Sequence, residues 1–138
     1  MYCIMYEKVL AECGGVALLV YFGVGTSLLP GTSDLQTALT FGMAMYILVM
    51  SLRISSGGHL NPAVTLALAL TKNIECSQAI LFILGQIVGS LVGAALLLLT
   101  VPEIYYAEKC FGANHIRPEF GYMHAFVGEL LGTFLVLY

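Results

Sequence analysis

The chain has 138 residues, of which 59% are apolar and 9% charged, with a formal charge of -3 and a mean hydropathy of +0.93. A soluble domain carries about 25% charged residues, so this chain lacks the polar surface that water demands, and its expected solvent is lipid. The five Lys and Arg are scattered, which excludes the basic patch that a nucleic-acid partner needs.

The first apolar stretch runs from about Val9 to Leu29 and ends at the turn signal Pro30-Gly31. It matches the ~20 residues of a spanning helix and exceeds the ~7–15-residue core of a secretory signal, so it reads as a retained span. A second stretch, from about Leu35 to Leu52, stops at Arg53. The sequence then changes character. Ile54 to Gly58 is small and polar, His59-Leu60-Asn61-Pro62 follows, and Ala63 to Leu70 is apolar again before Lys72 and Asn73. Pro62 to Thr71 gives roughly 15 Å of helix, half of a ~30 Å hydrocarbon core. A half-length apolar helix behind Gly-rich backbone predicts a re-entrant segment, tolerated at membrane depth only inside protein or along a wet cavity.

A third span is expected from about Ser77 to Thr100, closed by Val101-Pro102; within it, Gly85, Gly89 and Gly93 form a stripe suited to close helix contact. Glu103 to Glu119 reads as a connection with no visible chemistry. A fourth span starts near Tyr122 and reaches Tyr138, where it is expected to be cut short. The fold class is thus an all-α membrane protein with three spans, one re-entrant half-helix and a truncated fourth helix. With the N-terminus in the cytoplasm, Lys8, Arg53 and Lys72 lie inside and Lys109 and Arg117 outside, a slight positive-inside bias. Cys3 and Cys76 then face the cytosol and Cys110 the exterior, so no structural disulfide is expected. Neither paired cysteines nor His/Cys ligand spacing suggests a metal, and no cofactor is expected.

Two segments of the chain repeat each other. Glu12, Gly15, Leu18 and Tyr21 recur at the same offsets as Glu129, Gly132, Leu135 and Tyr138. Three spans separate the copies, so the second copy starts from the opposite membrane face. That is the pattern of an inverted repeat, with a functional site between its halves. Residues 1–121 form the first repeat on this reading, and 122–138 begin the second.

Pro62 suits the first helical position, where its missing N–H costs nothing, and Asn61 then becomes the N-cap. If the Asn61 side-chain oxygen serves the cap, its NH2 group is free to donate into a cavity. The helix N-terminus adds roughly half a positive charge there. Such a site orients water by its oxygen and repels cations. Gly57 and Gly58 let the backbone run extended, so carbonyl oxygens can line the approach. The plainer reading is an ordinary capped helix after a Gly-rich turn. The half-length helix between two spans favours the pore.

Ser56 to Thr65 resembles the first signature loop of the major intrinsic protein family, the aquaporins and aquaglyceroporins. The family's Asn-Pro-Ala motif is matched by Asn61-Pro62-Ala63, with His59 before it, and the resemblance covers Glu12 to Tyr138. It implies a barrel of six spans and two half-helices, each half supplying one motif, usually assembled as homotetramers with one pore per subunit. Phe41, twenty residues before Asn61, falls where the family places an aromatic of the outer selectivity constriction; as a residue alone it reads equally as a packing aromatic. Glu12, Gln86 and Glu129 match polar positions that brace the re-entrant loops through hydrogen bonds. A Glu in lipid needs such partners or takes a proton. His59 is either a satisfied interior histidine, a lining residue through its backbone or a pH-sensitive group.

The resemblance implies a passive channel for water, or for glycerol or another small neutral solute, with this chain as its first half. The second motif and the constriction arginine fall beyond Tyr138, so the chain is expected to be a piece of a longer channel. The other reading is a non-conducting partner that modulates intact channels. Enzymatic activity is not expected, because no nucleophile–base pair or metal set can be assembled from the few intramembrane polar residues.

Overall fold

The computed structural model describes residues 2–137, and within them every side chain except those of Tyr2, Cys3, Glu108 and Leu137. The Cys3 side chain and Tyr138, named above for their side of the membrane and for the repeat, lie outside what is described. Among the described residues the fold is all-helical. Three helices are long and apolar enough to cross a membrane: Ile4–Leu28, Asp34–Leu52 and Cys76–Thr100.

Helix α1 runs Tyr2–Leu28, starting well before Val9, because Glu7 and Lys8 propagate a helix as readily as they face polar surroundings. Helix α2, Asp34–Leu52, begins with a capping box. The Ser33 hydroxyl accepts from the Gln36 N–H (3.2 Å), and Gln36 Oε1 accepts from the Ser33 N–H (2.8 Å). Helix α3 is the half-helix, Pro62–Leu70. It closes in a Schellman turn, with the Asn73 N–H donating to Leu68 O and the Lys72 N–H to Ala69 O. Lys72 takes the left-handed position at φ 59°. Helix α4 spans Cys76–Thr100.

Helices α1 and α4 form the centre of the fold. A β-carbon on Gly85 would press on Val9, one on Gly89 on the Cys13 backbone, and one on Gly93 on Ala17 and Val20. Contacts that climb both helices together mean that α1 and α4 run parallel. In lipid, where apolar side chains gain little by leaving their solvent, such close backbone approach is the main source of helix association. Helix α2 crosses back beside α1: Phe41 meets Gly23, and Leu52 meets Gly15. No residue of α2 is buried. The chain therefore leaves α2 on the side where α1 and α4 begin. It dips in as 54–61, returns through α3 and enters α4.

The connection after α4 holds helix α5 (Glu103–Glu108) and a 3₁₀ turn (Cys110–Gly112). Lys109 Nζ donates to Ser27 O (2.5 Å) and Leu29 O (3.1 Å), placing a cation at the carbonyl end of α1 where the helix dipole favours it. Arg117 donates to Asp34 Oδ2 at 2.6 Å, and that hydrogen bond and charge hold the guanidinium pKa above its ordinary value. Both partners are well exposed, so the pair positions the connection more than it stabilises the fold. Helix α6, Tyr122–Leu137, touches the rest mainly through α3.

Candidate functional site

The site is built around one carboxylate. Glu12 is wholly buried in α1, and both of its oxygens are filled. Oε1 accepts from Ser56 Oγ (2.5 Å) and the His59 N–H (2.9 Å); Oε2 accepts from the Leu60 N–H (2.7 Å) and Gln86 Nε2 (2.9 Å). A carboxylate offers about four acceptor positions, and here all four are used. Ser56 Oγ in turn accepts from the Gly58 N–H (3.1 Å). One side chain on α1 thereby satisfies the backbone of an irregular loop that lipid could not solvate.

Gly57 and Gly58 stand at φ 103° and 66°, and Leu60 follows at φ 50°. A leucine in the left-handed region costs about 1–3 kcal/mol and persists only when its surroundings over-determine it. Here the Leu60 N–H is held by Glu12, and its buried side chain occupies the notch left by Gly15. With the N–H groups of 58–60 turned towards Ser56 and Glu12, none of the carbonyls of residues 57–60 accepts a hydrogen bond from a described residue.

Thr65 is the second hub. Fully buried on α3, its hydroxyl donates to Asn61 O (3.1 Å) and accepts from Gln86 Nε2 (3.0 Å). His59 Nδ1 lies 3.1 Å from the same oxygen. With the hydroxyl hydrogen committed to Asn61, Nδ1 carries the ring hydrogen and Nε2 is left as an acceptor. The His59 ring packs edge-on to Phe82 of α4 at 5.2 Å. Gln86 Oε1 is buried without a partner among the described residues. Sequence reading had assigned no role to Ser56, Thr65 or Leu60.

Asn61 is the N-cap of α3: its Oδ1 accepts from the Ala63 N–H at 2.8 Å, and Pro62 takes the first helical position. Its side-chain NH2 makes no hydrogen bond among the described residues. Asn61 is half-buried and opens onto a hollow of about 590 Å³. Gly58, His59, Leu60 and Val64 also line this hollow, with Leu19 of α1, Phe41 of α2 and Val136 of α6. Phe41 is 37% exposed, its ring resting on Gly23. The structure thus brings Gly58, His59, Asn61 and Phe41 to one hollow, with Glu12 and Gln86 behind the loop. Gly57 stands beside the His59 ring, and Pro62 and Ala63 open α3 on its exposed side. Glu129 is not brought to this cluster. It is exposed on α6, in a separate hollow with Arg117 and His124, about two helical turns from Val136, the α6 residue that lines the Asn61 hollow.

The family model for the major intrinsic protein matches residues 3–138. The chain is 35% identical over 133 residues to aquaporin-5 of Ovis aries, covering 93% of this chain and 49% of that protein. It is 35% identical over 131 residues to glycerol uptake facilitator protein-like 6 of Lactiplantibacillus plantarum, covering 95% and 60%. To the lens fiber major intrinsic protein of Gallus gallus it is 37% identical over 131 residues, covering 93% and 49%. The chain spans about half the length of the curated relatives it matches.

Proposed function

The chain belongs to the major intrinsic protein family and is an integral, multi-pass membrane protein, and from that premise we propose that it supplies the first half of a passive channel for water or a small neutral solute. The observation that carries this reading is that Asn61, at the N-terminus of α3, shares one hollow with the loop residues Gly58, His59 and Leu60. Asn61 offers its NH2 group at the positive end of α3, and the carbonyls of 58–60 accept no hydrogen bond from a described residue. Gln86, which touches the same network, stands near the middle of α4.

A water molecule arriving along the carbonyls donates its hydrogens to them, then turns its oxygen to the Asn61 NH2. The roughly half positive charge of the α3 N-terminus reinforces that orientation and raises the energy of a cation at the same point. Phe41 narrows the passage on the far side of the hollow. Glu12, Gln86 and Thr65 keep the loop in shape without touching the solute. On this reading the facing half of the wall, with a second Asn-Pro-Ala donor, comes from the second repeat that α6 begins, with Glu129 as the brace of that second loop. Homotetramers are the proposed assembly. A channel that works by hydrogen-bond exchange needs no cofactor and no catalytic group.

The test is stopped-flow light scattering on liposomes that hold the protein as the assembly it forms in its own membrane. Water or glycerol permeability should rise above that of empty liposomes. Asn61→Leu should lower it about tenfold, the factor that corresponds to about 1.4 kcal/mol, the upper end of one hydrogen bond's net worth. Permeability equal to that of empty liposomes would overturn the channel reading and leave a non-conducting partner of intact channels in its place.

A further inference from the structure

Beyond Asn61 and Phe41, the packing of α1 against α2 points to one further residue that governs passage. We infer that Gly23 is a positioning residue: the missing side chain at this place in α1 decides where the Phe41 ring rests, and through the ring sets the width of the hollow. The inference rests on the proposed reading of Phe41 as the narrowing side chain.

Gly23 is buried. A β-carbon built on it would overlap Cδ1, Cε1 and Cζ of Phe41, with Cζ only 2.6 Å away. The ring therefore occupies the space that any other residue at position 23 would fill. The overlap falls on outer ring atoms, which swing by side-chain rotation. Moving α2 instead would disturb contacts lower down, where Leu52 packs on Gly15 and the Val49 backbone lies against Gly58. Moving α1 would disturb the backbone contact of Cys13 with Gly89. The ring is the part that yields. Phe41 already lines the hollow of about 590 Å³, so a ring lifted off α1 swings into that space and narrows it.

The experiment compares Gly23→Ala, Phe41→Ala and the double variant, each purified as the assembly the protein forms in its own membrane. Gly14→Ala serves as the control for adding a methyl group to α1, because nothing lies within 4 Å of a β-carbon there. The readout is permeability, per channel, to the largest of water, urea and glycerol that the parent passes. Gly23→Ala should lower it roughly tenfold, the lower end of what one methyl group is worth in an apolar site. Phe41→Ala should raise it, and adding Gly23→Ala to Phe41→Ala should change nothing more. If Phe41→Ala leaves permeability unchanged, the reading of Phe41 falls and the inference with it. If Phe41→Ala raises permeability but Gly23→Ala has no effect, or the same effect in both backgrounds, the reading of Phe41 stands and the inference is overturned. Failure of Gly23→Ala alone to assemble also overturns it, since the helices rather than the ring would then have taken the strain.

Discussion

Glu12 shows how a single side chain can make an irregular loop tenable in lipid. Its two oxygens take donors from Ser56, His59, Leu60 and Gln86. Each hydrogen bond to a charged group contributes about 1.5–3 kcal/mol, and each buried donor left without an acceptor costs about 1–3 kcal/mol. Glu12→Leu should therefore destabilise the protein by on the order of 3 kcal/mol or more. Denaturant or thermal unfolding in detergent measures that loss. Hydrogen exchange at the His59 and Leu60 amides locates it, and unchanged protection there would mean that something else holds the loop. A carboxylate in an apolar span is conspicuous in the sequence, and Glu12 was legible for that reason. Thr65 and Ser56 were not. Small hydroxyls in spans commonly bond a carbonyl of their own helix, as Thr26, Thr40, Ser51, Ser90 and Thr100 do here. Nothing in the sequence separates those from the two that reach across the fold.

At the scale of elements, the stops were easier to read than the starts. Pro30-Gly31, Arg53 and Val101-Pro102 follow α1, α2 and α4 closely, because proline and charge end apolar helices by well-defined steric and solvation effects. The start of α1 was missed, since polar residues that favour helix carry it beyond the apolar run. Helix α5, at six residues, is too short for periodicity to reveal. The Gly85, Gly89 and Gly93 stripe was legible as a contact face, though not its partner. On Gly89 a β-carbon would stand 2.9 Å from the Cys13 carbonyl carbon and 3.0 Å from Cα, atoms that cannot move without moving α1. Gly89→Ala should cost about 1–3 kcal/mol through overpacking. Gly14→Ala, facing open space, should be neutral or stabilising by up to about 1 kcal/mol, since alanine favours helix. A thermal-shift comparison of the two checks this. Equal effects would mean that α1 and α4 are less closely joined than the structure has them.

For the whole molecule, the parallel course of α1 and α4 fixes a topology that can be tested by chemistry. Cys76 and Cys110, both exposed, lie at the start of α4 and past its end, separated by a helix of roughly 37 Å. In sealed vesicles, with the other cysteines replaced, a membrane-impermeant maleimide should label one of the two from outside. The other should react only after permeabilisation. Labelling of both from one side would refute the three-span arrangement. The recurrence of Glu12 and its neighbours at Glu129 is visible in the sequence, yet the packing of α6 is not, for a lone apolar helix carries no mark of what will cover it. The Glu12 network also has a consequence for synthesis. Its donors arrive late: Ser56 is 44 residues downstream and Gln86 is 74. At about 5–20 residues per second, the ribosome needs roughly 4–15 s to deliver Gln86. Until then α1 holds a carboxylate for which the lipid has no donor, in a position where a charged residue costs about 2.5–3.5 kcal/mol. Glu12 therefore gains its donors from the loop and from Gln86 only once the third span has been made.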